Sequence, residues 1–199
     1  RHTRFRNVTG VQTCALPICH PRRAARPNDF RRALVLPIAL DVGDIVASRA
    51  NIVFHLIEVV ASLHRIGVRE IRVKTHPGRV NPDYYREALV DARLECPVYA
   101  QGGLEPHLEW ADFVIGPPNS GAWVETLATG LPYYPLLPEP SLIDPALCGD
   151  AALYRSGAAI AEDIAQNRTP DGARTLQAIC GDVAVDPSAR FWDVMEASV

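Results

Sequence analysis

Two short polar clusters hold the residue types that bond-making chemistry requires. The first, Lys74-Thr75-His76-Pro77-Gly78, follows directly on an alternating stretch, and its lysine is the only one in the chain against nineteen arginines. A cation and an imidazole at the end of a strand can steady a developing negative charge. His76 can donate through one ring nitrogen to a phosphate or carboxylate oxygen. Pro77 fixes its own φ and restricts the residue before it, so the ring is held at the strand end. The plainer alternative is a polar turn whose histidine caps a neighbouring loop.

The second cluster, Gly116-Pro117-Pro118-Asn119-Ser120-Gly121, is followed by Glu125 and Gly130. Asn119 or Ser120 is placed to cap a helix. The N–H groups of Gly121, Ala122 and Trp123 are then expected to face outward, where the helix dipole favours an anion such as a nucleotide phosphate. Gly121 allows close backbone approach. Glu125, about one and a half turns into the helix, is expected to accept hydrogen bonds from a ribose or sugar diol, well away from phosphate oxygens of like charge. Its structural alternative is a favourable acid near a helix N-terminus.

Other candidates rank lower. Tyr99, Gln101 and Gly102-Gly103 could line a base pocket, although the glycine pair also reads as a turn. Trp110 and Trp123 read as core, while His107, Glu109, His55 and His64 are expected on solvent-facing helix surfaces. The chain contains no H-E-x-x-H, zinc-type cysteine pair, G-x-S-x-G elbow or Walker loop. Zinc-peptidase, serine-hydrolase and P-loop readings therefore lack their defining residues, and neither a metal nor a separate cofactor is expected.

These clusters need elements to position them. Ala33–Leu40 is an apolar run suited to a buried strand, with Pro37 marking its end or a bulge. Asn51–Ile66 reads as a helix with Val53, Leu56, Ile57, Val60 and Leu63 on one side and Gly67 as its stop. Glu70–Lys74 is the next strand, with Ile71 and Val73 pointing one way. Asn81 or Asp83 can cap a helix through Leu94, with Tyr84, Ala88 and Ala92 at helical spacing. Pro97–Ala100, Asp112–Ile115 and Pro132–Leu136 read as strands, and Leu104–Trp110 and Ser120–Thr129 as helices. Beyond Pro138, Ser141–Cys148, Ala158–Gln166, Asp171–Ile179 and Ser188–Ala197 have helical character, the last two packing back through Leu176, Phe191, Trp192 and Met195. Alternating strands and helices predict an α/β fold, an open parallel sheet with helices on both faces, Rossmann-like. In such a sheet the site lies beyond the C-terminal ends of the strands, where both polar clusters fall.

Composition narrows the function class. Residues 1–33 carry eight Arg against one Asp, whereas the rest carries eleven Arg and one Lys against 22 acids, leaving that body near −10. An acidic body argues against a nucleic-acid partner. Five cysteines, odd in number and mostly far apart, fit a reducing compartment. No run of 18 apolar residues exists. Residues 1–30 mix three prolines with scattered arginine and show no strand or helix period. Val8–Cys19 closely resembles the translation of a sequencing-adapter read, so 1–30 is expected to be artefactual or a tail, and 31–199 the folded domain. The same reading implies a further domain upstream of Asp29.

The residues Lys74, His76 and Pro77, then Asp112, Val114, Ile115, Gly116, Asn119, Ser120, Gly121, Glu125, Gly130 and Pro132, together resemble the C-terminal, donor-binding domain of GT-B-fold glycosyltransferases. The likeness is strongest to the capsule and surface-polysaccharide type. It spans about 130 residues. The resemblance implies that His76 and Ser120 contact donor phosphates, that Lys74 assists as the sugar–phosphate bond breaks, and that Glu125 binds ribose or sugar hydroxyls. It implies a UDP-, GDP- or CMP-linked sugar donor, a glycan or lipid-linked acceptor brought by the missing domain, and a cytoplasmic enzyme working at the inner face of the membrane. A nucleotide-sugar 2-epimerase shares the His-Pro element and the spacing Ser120-Gly121…Glu125, and a non-catalytic nucleotide-binding module is a third reading.

Overall fold

The computed structural model describes residues 29–37, 49–76, 81–118, 120–139, 145–148 and 151–180. Five strands, β1 Arg32–Val35, β2 Glu70–Lys74, β3 Val98–Tyr99, β4 Phe113–Gly116 and β5 Tyr133–Pro135, alternate with helices α1 Arg49–Arg65, α2 Pro82–Asp91, α3 Glu105–Trp110 and α4 Gly121–Ala128. Helices α5 Gly157–Ala165 and α6 Gly172–Cys180 follow. All strand pairs are parallel and the sheet order is β3-β2-β1-β4-β5. The fold is therefore α/β with an open parallel, Rossmann-like sheet. The chain winds outward from β1 through β2 to β3, then returns to place β4 on the other side of β1.

Period-two burial builds two cores. Ala33, Val35, Ile71, Val73, Phe113 and Ile115 face α1, α2 and α5. Leu34, Val114 and Tyr133 face the other way, onto Leu108 of α3, Trp123 and Leu127 of α4, and Leu176 of α6. Both faces are thus covered, which is why β4 and the run at β1 read as near-continuous apolar stretches, while β2 alternates.

Local punctuation ends α1 and α4 where the sequence implied, whereas α2 stops at Asp91, short of the expected Leu94, with Arg93 in the left-handed region (φ +57). Gly67 (φ +93) follows α1 and Gly130 (φ +80) follows α4, both in the left-handed region where a side chain is strained. Asn81 is the cap of α2, its side chain accepting from the Asp83 amide at 3.0 Å.

Two helical stripes differ from expectation. In α1 the buried apolar residues are Ile52, Leu56, Val59, Val60 and Leu63, with Val53 and Ile57 only half-buried. In α2 they are Tyr85 and Leu89, whereas Tyr84 is exposed. In both cases several rows of apolar residues compete, and the helix turns toward the row that meets the sheet. Of Ser141–Cys148, the described part is a short 3₁₀ helix, Pro145–Cys148. Ser188–Ala197, and with it Phe191, Trp192 and Met195, lies outside the described residues.

Candidate functional site

Parallel pairing puts all strand C-termini on one rim, and the reversal of strand order falls between β1 and β4. Open α/β sheets bind ligands in the crevice at such a reversal. The turn after β4 and the start of α4 lie at this crevice, and the turn after β2 lies on the same rim with β1 between them. At the usual strand spacing, β2 and β4 are about 10 Å apart.

On the β4 side, Ser120 is the cap of α4, extended at φ −103 and ψ 139, with Oγ accepting from the Ala122 amide at 3.2 Å. The amide of Trp123 donates to the Ser120 carbonyl at 2.9 Å. Of the three amides expected to face a ligand, that of Gly121, an exposed residue, is the one with no acceptor among the described residues. The cap and the tight first turn occupy the other two. Glu125 is half-buried in the second turn. Asn119 lies outside the described residues.

Gly116 is buried for an internal reason. A Cβ there would stand 2.5 Å from the Tyr133 hydroxyl and 3.0 Å from Leu36 Cβ. That hydroxyl donates to the Pro117 carbonyl at 3.0 Å, which fixes the turn leading to Ser120. The glycine therefore makes room for the bond that shapes the rim.

On the β2 side, His76 is exposed just past the strand, and Pro77 and Gly78 lie outside the described residues. Lys74 is only 5% exposed. Its Nζ donates to the carbonyls of Thr75 (3.0 Å) and Ala100 (3.1 Å), tying the ends of β2 and β3 together. Burial lowers its pKa. The geometry makes Lys74 the support of the turn that carries His76.

His107 and His55 are corrections to the solvent-facing expectation. His107 is 8% exposed, packs its ring against Tyr99 at 4.8 Å between centroids, and leaves Nδ1 without a hydrogen-bond partner. Burial lowers its pKa, helped by the nearby charges of Lys74 and Arg72. The six-residue helix α3 lays its first turn over the β2–β3 edge, an arrangement its own sequence does not encode. His64 is also half-buried rather than solvent-facing. His55 is half-buried and borders an apolar hollow at the β1–β4 crevice, walled by Val35, Leu36, Ile52, Val59, Pro117 and Pro138. Its pKa is lowered by burial, against an opposing pull from Glu58.

The aromatic expectations divide. Trp123 is core, stacked on Tyr133 at 6.0 Å. Trp110 is half-buried beneath the Arg72 guanidinium, 3.9 Å from its ring centroid. Tyr99 is half-buried between Arg72 and His107, while Gln101, Gly102 and Gly103 are exposed at the rim.

Asp112 sits at the opposite rim and serves the fold. Its carboxylate accepts from the amides of Arg31 and Arg32 and from the Arg32 side chain, locking β4 to the start of β1. A similar device, invisible to local sequence reading, is Glu58 of α1. Its two oxygens accept from the amides of Gly157 (2.6 Å) and Ala158 (2.8 Å), capping α5 from another helix.

Among the described residues no group of three or more His, Cys, Asp or Glu side chains is arranged to hold a metal ion, and no helix is long and apolar enough to cross a membrane. Compared with known proteins, the chain matches no family model and no curated sequence.

Proposed function

We propose that this domain is the donor-holding half of a two-domain glycosyltransferase of the GT-B type, acting on a nucleotide-linked sugar in surface-polysaccharide or glycan synthesis. One observation carries the reading: the Ser120-capped start of α4 and the His76 turn share the C-terminal rim of a parallel sheet, flanking the strand at which its order reverses. A gap of about two strand spacings suits a diphosphate or a nucleotide phosphate with its sugar. The Gly121 amide and the positive end of α4 would hold the phosphate at one side, and His76 would reach it from the other. Glu125, one turn further along α4, would face the ribose or sugar hydroxyls. Lys74 acts here through its two carbonyl bonds, by fixing the His76 turn. The leaving group is then the nucleotide, and the acceptor, a glycan or a lipid-linked sugar at the inner face of the membrane, comes with the partner domain.

Isothermal titration of the chain with UDP, GDP and CMP tests the reading. Binding of one nucleotide is expected, weakened roughly tenfold by Ser120→Ala or His76→Ala, as for loss of a charge-assisted hydrogen bond. A folded chain that binds none of the three, or equal affinity in both variants and the parent, overturns it.

A further inference from the structure

The hollow at the β1–β4 crevice has a composition that specifies its ligand. Its walls are the apolar ends of β1 and β4, the first turns of α1 and the segment after β5, and among the described lining residues the imidazole of His55 is the one titratable side chain. Its volume, about 30 Å³, admits one or two groups the size of a methyl or a water. It lies where Gly116-Pro117 leads into the Ser120 turn, beside the place a donor phosphate would occupy.

A group that fits must bury carbon and present a single polar atom to a neutral imidazole. A carboxylate fails, because its charge would lose its hydration against apolar walls. A bare sugar hydroxyl fails too, since it puts no carbon into the hollow and would leave its own bonding capacity unmet. A short acylamide meets both demands, with the methyl in the hollow and the amide N–H or carbonyl against His55. We infer that the hollow is a specificity subsite for an acylamido substituent of the sugar, with His55 as its hydrogen-bonding partner. The inference rests on the donor-holding reading for its place beside the phosphate, but the hollow's own chemistry can be tested apart from it.

The chain is titrated with N-acetylglucosamine 1-phosphate and glucose 1-phosphate, with saturation-transfer NMR of the bound ligand. The acetylated ligand is expected to bind roughly tenfold tighter, from burial of one methyl and one added hydrogen bond, and its methyl to receive the strongest saturation. His55→Phe removes the bond and Ile52→Phe fills the hollow, and each is expected to erase the preference; His55 is half-buried on a helix surface, so its variant keeps the fold. Equal affinity for the two ligands, or a methyl no more saturated than the ring protons, overturns the subsite. If neither sugar phosphate binds, the titration with UDP, GDP and CMP decides the donor-holding reading, and N-methylacetamide at high concentration decides the subsite. A shift of the His55 ring resonances that Ile52→Phe abolishes supports it, and no shift overturns it.

Discussion

Asp112 offers the sharpest separation between a residue that serves a ligand and one that serves the fold. It opens the Asp-x-Val-Ile-Gly stretch on which the glycosyltransferase resemblance partly rests, yet the structure gives it four internal donors: the amides of Arg31 (3.2 Å) and Arg32 (3.0 Å), and Nε (3.2 Å) and Nη2 (2.7 Å) of Arg32. The Asp112 side chain is 10% exposed and that of Arg32 29%, so solvent screens the pair only in part. Asp112→Asn keeps the shape and removes the charge, and its new N–H₂ must face donors. Charge-assisted bonds contribute about 1.5–3 kcal/mol each at most, and breaking one side of a well-buried pair costs about 3–5 kcal/mol. For this partly exposed pair a loss of about 2 kcal/mol is expected. Burial works against ionisation of Asp112, but the Arg32 side chain and the two amides outweigh it, and the carboxyl is held below the usual aspartate range. With the folded pKa below the unfolded value of about 3.9, the contribution is complete above that pH and vanishes as pH falls through the folded pKa. Urea unfolding of parent and variant at pH 7 and in acid measures both effects, and Arg32→Met completes a double-mutant cycle. A loss under about 0.5 kcal/mol at pH 7, the level of an ordinary surface change, would refute the lock. So would an undiminished difference in acid, or a fall in nucleotide affinity with stability intact.

Other consequences follow from the same contacts. Glu58→Gln should cost about 1–2 kcal/mol in thermal unfolding, the worth of a helix cap, because it removes the charge facing the Gly157 and Ala158 amides; an unchanged melting temperature would contradict that cap. Gly116→Ala should destabilise by about 1–3 kcal/mol through overpacking, and adding Tyr133→Phe, which deletes the hydroxyl 2.5 Å from the new Cβ, should recover part of the loss. An additive double variant would show that the clash lies elsewhere. Burial lowers the pKa values of His55, His64 and His107, so below about pH 6.5 the unfolded chain binds more protons than the folded one and stability falls with pH. The melting temperature should drop between pH 7.5 and 5, less steeply in His107→Gln; an identical slope would remove His107 from the cause.

Much of the local structure was legible in advance because its causes are local. Glu70–Lys74 shows period-two alternation, and the glycines at 67 and 130 supply the left-handed residue that ends a helix. Ser120 at the start of an apolar helical run announces a cap. The order of α/β alternation then left one sheet class open, and its C-terminal rim named the two polar turns.

What the amino-acid order determined is thus most of the elements from β1 to α4 and the glycine stops at 67 and 130, since each depends on neighbours within a few residues. Tertiary structure alone decided which strand lies beside which, that His107 is buried, that Lys74 spends its donors on two carbonyls, and that His55 borders the crevice. The locks at Asp112 and Glu58 join groups 80 and 99 residues apart. A hydrophobic period tells a segment which of its faces to bury but carries no address for the partner. That address exists only once the packed sheet brings distant donors and acceptors out of water together.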